Sequence, residues 1–226
     1  LIAREVTTKI QTTKGWNFVI ENRPGTGGNI GIDVVAKSPA DGYTIMVTSI
    51  GMATNRALYP KLTYDPVRDF APISLLAVVP NVMVVAPSKG YKTVKDVIDA
   101  AKARPGALNY ASVGAGSATH MSAEKFKAAV GIDVVHVPYR GGGPLMNDAL
   151  AGHVPLAIGS VFLVKPHIDN KLMRPLAVTT TKRAADLPSV PTIAESGFAG
   201  FDAPAWWAVL APAKTPPDIL KRMNEE

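Results

Sequence analysis

The stretch Asn109-Tyr110-Ala111-Ser112-Val113-Gly114-Ala115-Gly116-Ser117-Ala118-Thr119-His120 predicts a short strand, a glycine-rich turn and the start of a helix. Ser117 occupies an N-cap position just before the helical run. The N–H groups at a helix N-terminus carry partial positive charge and attract anions. Gly114 and Gly116 lack the side chains that would keep an anion away from the backbone. Two interpretations therefore remain open, a plain strand-to-helix turn and an anion site.

The composition indicates a globular protein. The 226 residues are 47% hydrophobic and 19% charged, enough to form a core in one large domain or two small ones. The absence of cysteine excludes disulfides, cysteine-ligated zinc and a cysteine nucleophile. The net charge of +6 comes from dispersed Lys and Arg, with no basic run interleaved with aromatics, so nucleic acid is not an expected partner. A diffuse positive field suits an acidic small molecule, although solubility would explain it equally well.

Strands and helices alternate along the rest of the chain. Apolar spacing predicts further helices over 1–12, 30–37, 53–58, 93–103 and 144–150, and further strands over 16–20, 43–49, 73–79, 82–86, 134–137, 154–160, 174–180 and 205–211. The nearly continuous apolar runs at 73–79 and 82–86 predict buried strands. This alternation indicates an α/β fold with a mainly parallel sheet.

Ligands of such sheets bind beyond the carboxyl ends of strands, at helix N-termini. Four predicted strand ends carry the small or glycine-rich residues suited to this role: Ser49, Ser112–Ser117, Tyr139–Gly143 and Ser160. His120 lies in the first helical turn, where it could donate to a ligand or simply pack and bond to backbone. The helix N-terminus should disfavour its protonated form.

Motifs for catalysis are largely missing from the sequence. It has no Walker A motif, only half a dinucleotide fingerprint, and no Gly-x-Ser-x-Gly elbow. The four histidines are 14 to 17 residues apart, so none has the spacing of a helical zinc site. Glu124, Asp133 and Asp148 show no evident partner and are expected on solvated faces. The sequence therefore favours binding over catalysis, and no cofactor or metal is expected.

Several motifs occur together in a fixed order along the chain, and this combination is specific to one family of proteins. They are Glu21–Gly31, Ser38–Thr44, Leu58–Leu62, Tyr64–Pro66, Asp69–Pro72, Tyr110–His120, His136–Gly142, Leu187–Thr192 and Leu210–Pro212. In this order they resemble the Bug/TctC family, the substrate-binding proteins of tripartite tricarboxylate transporters. The resemblance covers essentially the whole chain.

That resemblance implies a bacterial periplasmic binding protein of the type II-like class, with two α/β lobes, two crossing hinge strands and a ligand cleft between the lobes. The crossings are expected near 79–86 and 204–211, with one lobe formed by 1–80 and 204–226 and the other by 81–203. The implied ligand is a small organic acid: a di- or tricarboxylate, an acidic amino acid or an aromatic carboxylate. The implied ligand residues are Ser49, Ser112, Gly114, Gly116, Ser117, His120, Tyr139, Gly141, Gly142 and Ser160.

The resemblance also implies a monomer that is not an enzyme and whose partners are the membrane subunits of the transporter. Family members have further residues before Leu1 and after Glu226, so the chain is expected to be a fragment at both ends. Two alternatives stay open at this point. One is a sensor module that presents its ligand-bound form to a signalling partner, and the other is an enzyme that uses a nucleotide or phosphorylated substrate.

Overall fold

The computed structural model describes residues 2–23 and 25–226. Leu1 of the first predicted helix and Pro24 of the first glycine-rich loop lie outside the described residues. The helices are α1 Ile2–Lys14, α2 Asn29–Ala36, α3 Gly51–Leu58, α4 Val94–Ala103, α5 Ala118–Val130, α6 Gly142–Leu150, α7 Val161–Asp169 and α8 Pro217–Glu225. The strands are β1 Met46–Ser49, β2 Phe70–Val79, β3 Asn81–Val85, β4 Asn109–Ser112, β5 Val135–Pro138, β6 Leu156–Ser160, β7 Arg174–Val178 and β8 Ala205–Pro212.

The chain forms two compact units. Unit 1 comprises Leu1–Ala77 and Trp206–Glu226, and unit 2 comprises Val78–Ala205. In unit 1, β8 lies between β1 and β2, and β1 pairs with β8 in antiparallel register. Its core is small and consists of Ile32, Val35, Met46, Met52, Tyr64, Phe70 and Leu210.

Two sequence expectations for unit 1 are wrong. The predicted strand at 16–20 has no regular secondary structure. The apolar run at 73–79 does form a strand, but Leu75 is 61% exposed and Val78 is 57% exposed, so β2 is not a buried strand. An apolar run shows which side chains are hydrophobic, whereas burial depends on which elements cover each face of the strand.

Unit 2 contains a five-stranded sheet in the order β5-β4-β6-β3-β7. Strand β4 is parallel to both of its neighbours, β5 and β6. Strand β3 is antiparallel to both β6 and β7. The sheet is therefore mixed: β4, β5, β6 and β7 run in one direction and β3 runs against them, so the expectation of a mainly parallel sheet misses only the reversed strand. Hydrophobic periodicity does not encode strand direction, and β3 enters between strands that come much later in the chain.

Alternating side chains of this sheet supply two separate cores. Met83 and Val85 pack on one face together with Tyr110 and Phe126, while Val82 and Val84 pack on the other with Leu145. Helices α4 and α5 contribute to the first core, and α6 and α7 contribute to the second. With both faces covered, β3 is fully buried along its length, as its apolar run predicted.

Helix α4 shows how local sequence and packing agree. Thr93 accepts the amide of Asp96, and the carboxylate of Asp96 accepts the amide of Thr93, which together form a capping box. The apolar side chains Val94, Val97, Ile98 and Ala101 repeat with helical spacing, and all four are buried. Burial of each valine or isoleucine is worth about 1.5–3 kcal/mol relative to exposure.

Candidate functional site

The candidate site in unit 2 is built on three strand ends. Because β4, β5 and β6 run parallel, their carboxyl ends lie at the same edge of the sheet. A helix begins shortly after each of these strands: α5 at Ala118, α6 at Gly142 and α7 at Val161. The fold therefore places three helix N-termini along one edge, as expected for a site at strand ends.

The loop 113–117 joins β4 to α5 and is held by its own polar groups. Ser117 Oγ donates to the Gly114 carbonyl at 2.6 Å and accepts the His120 amide at 3.3 Å, so Ser117 is the N-cap that the sequence predicts. Thr119 Oγ1 accepts the Val113 amide at 3.1 Å. The amides of Ala118 and Thr119 lie in the first turn, ahead of the intrahelical hydrogen bonds.

Both predicted glycines of this loop adopt backbone conformations that favour glycine. Gly114 has φ 140° and Gly116 has φ 79°. Their amides make hydrogen bonds within the site, since Gly114 donates to Ser112 Oγ at 3.2 Å and Gly116 donates to His120 Nδ1 at 3.1 Å. The glycines thus shape the loop, and their own amides are occupied by hydrogen bonds within the site.

The second predicted loop lies directly against the first. The Tyr139 amide donates to the Ser112 carbonyl at 3.0 Å, and the Gly141 amide donates to the Val113 carbonyl at 3.2 Å. The hydroxyl of Tyr139 donates to Asp148 Oδ2 at 2.7 Å. Burial, followed by this neighbouring carboxylate, raises the pKa of Tyr139 to about 12. The expectation that Asp148 has no partner is therefore wrong.

Ser160 and Gly142 lie at the starts of the other two helices. A Cβ on Gly142 would lie 2.8 Å from Leu163 Cδ1, so the first turns of α6 and α7 are in close contact. Ser160 occupies the N-cap position of α7 and is only 7% exposed. Its hydroxyl makes no hydrogen bond with the described residues and remains available to a ligand.

Ser49, the predicted ligand residue of unit 1, ends β1 just before α3. It pairs with Trp207 of β8. Within the described part of the chain, its Oγ is shielded from solvent and has no hydrogen-bond partner. A buried hydroxyl without a partner costs free energy, so its position needs an explanation other than folding.

Three stacked rings lie beneath the loop 113–117. The centroids of His120 and His136 are 4.0 Å apart, and those of His136 and Tyr110 are 4.9 Å apart. Burial lowers the pKa of both histidines, to about 4 for His136. His120 is therefore expected to be neutral. The main cause is its burial, and not the helix N-terminus from which the sequence predicts the same state.

The expectation that Glu124 has no partner is also wrong. It accepts the hydroxyl of Tyr110 at 2.6 Å and the ammonium of Lys127 at 2.9 Å, so it has two partners on a partly covered face. Burial acts to raise the pKa of Glu124, but these hydrogen bonds lower it overall. Asp133 is exposed, as expected.

A buried polar network at the same sheet edge is not predicted from the sequence. Thr179 Oγ1 accepts the Asn81 amide at 3.1 Å and donates to the Ala203 carbonyl at 2.8 Å. Ser122 Oγ accepts Asn81 Nδ2 at 3.0 Å and donates to the same carbonyl at 3.0 Å. The only signal in the sequence is a polar residue, Asn81, at the start of a buried apolar run.

Residues 2–23 and 25–226 offer neither a metal-binding cluster nor a membrane-spanning helix. No group of three or more His, Cys, Asp or Glu side chains is arranged to hold a metal ion. No helix in these ranges is long and apolar enough to cross a membrane.

The fold is that of periplasmic solute-binding proteins. The chain superposes on the structure described as R. palustris Rpa4515 with adipate, with a TM-score of 0.94 and 40% identity, over 99% of this chain and 75% of that one. It is also similar to MatC from Rhodopseudomonas palustris with bound malate, with a TM-score of 0.91 and 29% identity, over 99% and 76% of the two chains.

Sequence comparison identifies the family. The family described as "Tripartite tricarboxylate transporter family receptor" matches residues 2–226, so the chain belongs to this family, TctC. Protein BugT of Bordetella pertussis is 36% identical over 99% of this chain and 69% of its own length. A protein from the tcbD-tcbE intergenic region of Pseudomonas sp. strain P51 is 40% identical over 100% of this chain and 67% of its own length. The chain thus spans about two thirds of these relatives, and its resemblance to the Bug/TctC family is confirmed.

Proposed function

We propose that this protein is a periplasmic solute-binding protein that captures a small organic acid for a tripartite tricarboxylate transporter. The observation that carries the proposal is the alignment of the starts of α5, α6 and α7 along one edge of the unit 2 sheet. Each helix N-terminus presents partial positive charge, and together they favour a carboxylate over a neutral or cationic ligand.

Two kinds of donor are available for that carboxylate. The first-turn amides of Ala118 and Thr119 precede the hydrogen bonds of α5. The hydroxyl of Ser160 has no hydrogen bond with the described residues, so donating to a ligand costs it no existing bond. The full set of proposed ligand residues is Ser49, Ser112, Gly114, Gly116, Ser117, His120, Tyr139, Gly141, Gly142 and Ser160.

The ligands of two similar proteins support the same chemical class. Adipate and malate, named with these two R. palustris structures, are both dicarboxylates. We propose a di- or tricarboxylate, an acidic amino acid or an aromatic carboxylate as the ligand of this chain. Binding without catalysis, with residues 1–80 plus 204–226 and residues 81–203 acting as the two lobes, is part of the proposal, as are a monomeric state and delivery to the membrane subunits of the transporter.

Calorimetric titration and thermal unfolding with a panel of organic acids, including adipate and malate, test this function. A ligand present at 100 times its Kd should raise the free energy of unfolding by about 2.7 kcal/mol. Ser160→Ala should weaken binding about tenfold, the effect of one hydrogen bond to a charged group, with little effect on folding. Ser189→Ala, at an exposed serine, is the matched control. If no carboxylate in the panel binds, the proposed function is wrong.

A further inference from the structure

The stack of Tyr110, His136 and His120 joins three elements of unit 2. Tyr110 comes from β4, His136 from β5 and His120 from α5. The parallel register of β4 and β5 places Tyr110 opposite His136, and their rings are inclined by only 20°. The ring of His120 then covers His136 with an interplanar angle of 16°. The pair of imidazoles therefore connects the sheet to the first turn of α5.

Each imidazole forms a hydrogen bond with a polar group at the loop 113–117. His120 bonds to the Gly116 amide, and His136 bonds to the hydroxyl of Ser112, the residue just before the loop. The Gly116 amide donates to His120 Nδ1 at 3.1 Å. His136 Nε2 lies 2.7 Å from Ser112 Oγ, and that same oxygen accepts the Gly114 amide at 3.2 Å. One glycine amide of the loop is thus held by His120 directly, and the other is held by His136 through Ser112.

The hydrogen bond from Gly116 fixes the protonation of His120. An amide N–H is a donor, so Nδ1 of His120 must be unprotonated to accept it. The neutral ring then carries its proton on Nε2, which lies 4.0 Å from Glu124 Oε1. A second proton on Nδ1 would set two donors against each other and break the bond to Gly116.

The surroundings of His120 and His136 shift the pKa values of these two rings in both directions. Burial lowers the pKa of both rings, the positive Lys127 adds to this effect, and Glu124 opposes it. Lys127 and Glu124 lie within 2.9 Å of each other, and Tyr110 donates to the same carboxylate, so neither charge acts alone on the imidazoles. A proton on one ring also disfavours a proton on the other, since their centroids are 4.0 Å apart.

We infer that His136 is a positioning residue of the ligand site: it holds Ser112 and stacks on His120, and the two rings keep the loop 113–117 in its binding form only while Nδ1 of His120 is unprotonated. His120 then acts by holding Gly116. The importance of the loop for a carboxylate rests on the proposed function. Acidification releases the loop, so affinity falls as His120 takes up a proton.

The first experiment needs no ligand. Amide hydrogen exchange, followed by NMR between pH 7 and pH 4, reports the protection factor of Gly116, with the buried Val84 amide as a reference for global unfolding. The wild-type factor should fall at least tenfold more than that of Val84 on acidification. His120→Asn keeps an acceptor that cannot titrate, so protection should persist to pH 4. His120→Phe keeps a ring but removes the acceptor, so protection should be lost at pH 7 as well.

The second experiment measures the Kd of adipate and malate over the same pH range. His136→Phe, which retains the ring and loses the bond to Ser112, should raise the Kd about tenfold at pH 7 and flatten its pH profile. His136→Gln, which restores a polar group near Ser112, should recover part of the affinity. His167→Gln, at the far end of α7, is the control and should match the wild type.

The outcomes separate the two proposals. If the wild type binds neither acid while Gly116 loses protection as described, the proposed function fails and the positioning role stands. The positioning role is overturned if the wild type binds an acid but His136→Phe does not differ from it. In that case the Gly116 protection factor and the Kd of His136→Phe would equal the wild-type values at every pH.

Discussion

The hydroxyl of Tyr110 donates a 2.6 Å hydrogen bond to Glu124, and Lys127 donates to the same carboxylate at 2.9 Å. Tyr110 is only 1% exposed, so its phenol would otherwise be a buried polar group without a partner. Burial and this carboxylate raise the pKa of Tyr110 well above its usual range. The pair therefore anchors α5 to β4 directly beneath the two histidines.

Replacing Tyr110 by Phe should lower the free energy of unfolding by about 1–2 kcal/mol, because a hydrogen bond to a charged group is lost while Glu124 keeps Lys127. Urea denaturation would measure the difference. Tyr43→Phe, at a side chain that is 93% exposed, is the control and should have no effect. Equal stability of the two variants would contradict the anchoring role of Tyr110.

The elements that the sequence predicts well are those where local and global signals agree. Helix α4 is predicted at 93–103 and observed at Val94–Ala103, because its cap and its apolar spacing indicate the same ends. Helix α7 is absent from the predicted helices, and it contains Pro166, a residue that usually interrupts a helix. The strand predicted at 16–20 has apolar residues but no strand partner in the described structure, and pairing is not visible in a single sequence.

Thr179→Val should destabilise the protein by about 1–3 kcal/mol, since the isosteric change leaves the buried Asn81 amide without its acceptor. The Ala203 carbonyl would still accept from Ser122. Thr181→Val removes an equivalent hydroxyl from an exposed position two residues later. Chemical denaturation of both variants should show a loss for Thr179→Val only, and a loss of equal size in both would contradict the role of the network.

Acidification should destabilise the protein through His136. Burial lowers the pKa of this residue to about 4 in the folded protein, against about 6.5 in an unfolded chain. Between these values the unfolded state binds more protons, so the contribution of His136 is full above about pH 6.5 and is lost as the pH falls towards 4. In urea denaturation across this range, His136→Gln should show a shallower decline than the wild type, and an identical slope would show that His136 does not take part.

The candidate site was predictable only where it follows from short-range sequence. Ser117 as a cap and the glycines of loop 113–117 are visible as a local pattern at a strand end. His136 lies 16 residues from His120, and the two meet because β5 pairs in parallel with β4. The register of that pairing is a tertiary property, so the sequence shows both histidines without showing their contact.

Two adjacent glycines at the start of α6 provide a matched pair. Gly143 is exposed, and a Cβ on it would have no atom within 4 Å, so Gly143→Ala should stabilise the helix by about 0.5 kcal/mol. A Cβ on Gly142 would lie 2.8 Å from Leu163 Cδ1 and 3.0 Å from its Cδ2, so Leu163 would have to move. Overpacking of this kind costs about 1–3 kcal/mol, which exceeds the gain in helix propensity. Gly142→Ala should therefore be the less stable variant by at least about 1 kcal/mol in thermal unfolding, and equal stability would mean that α6 and α7 are not in contact at this position.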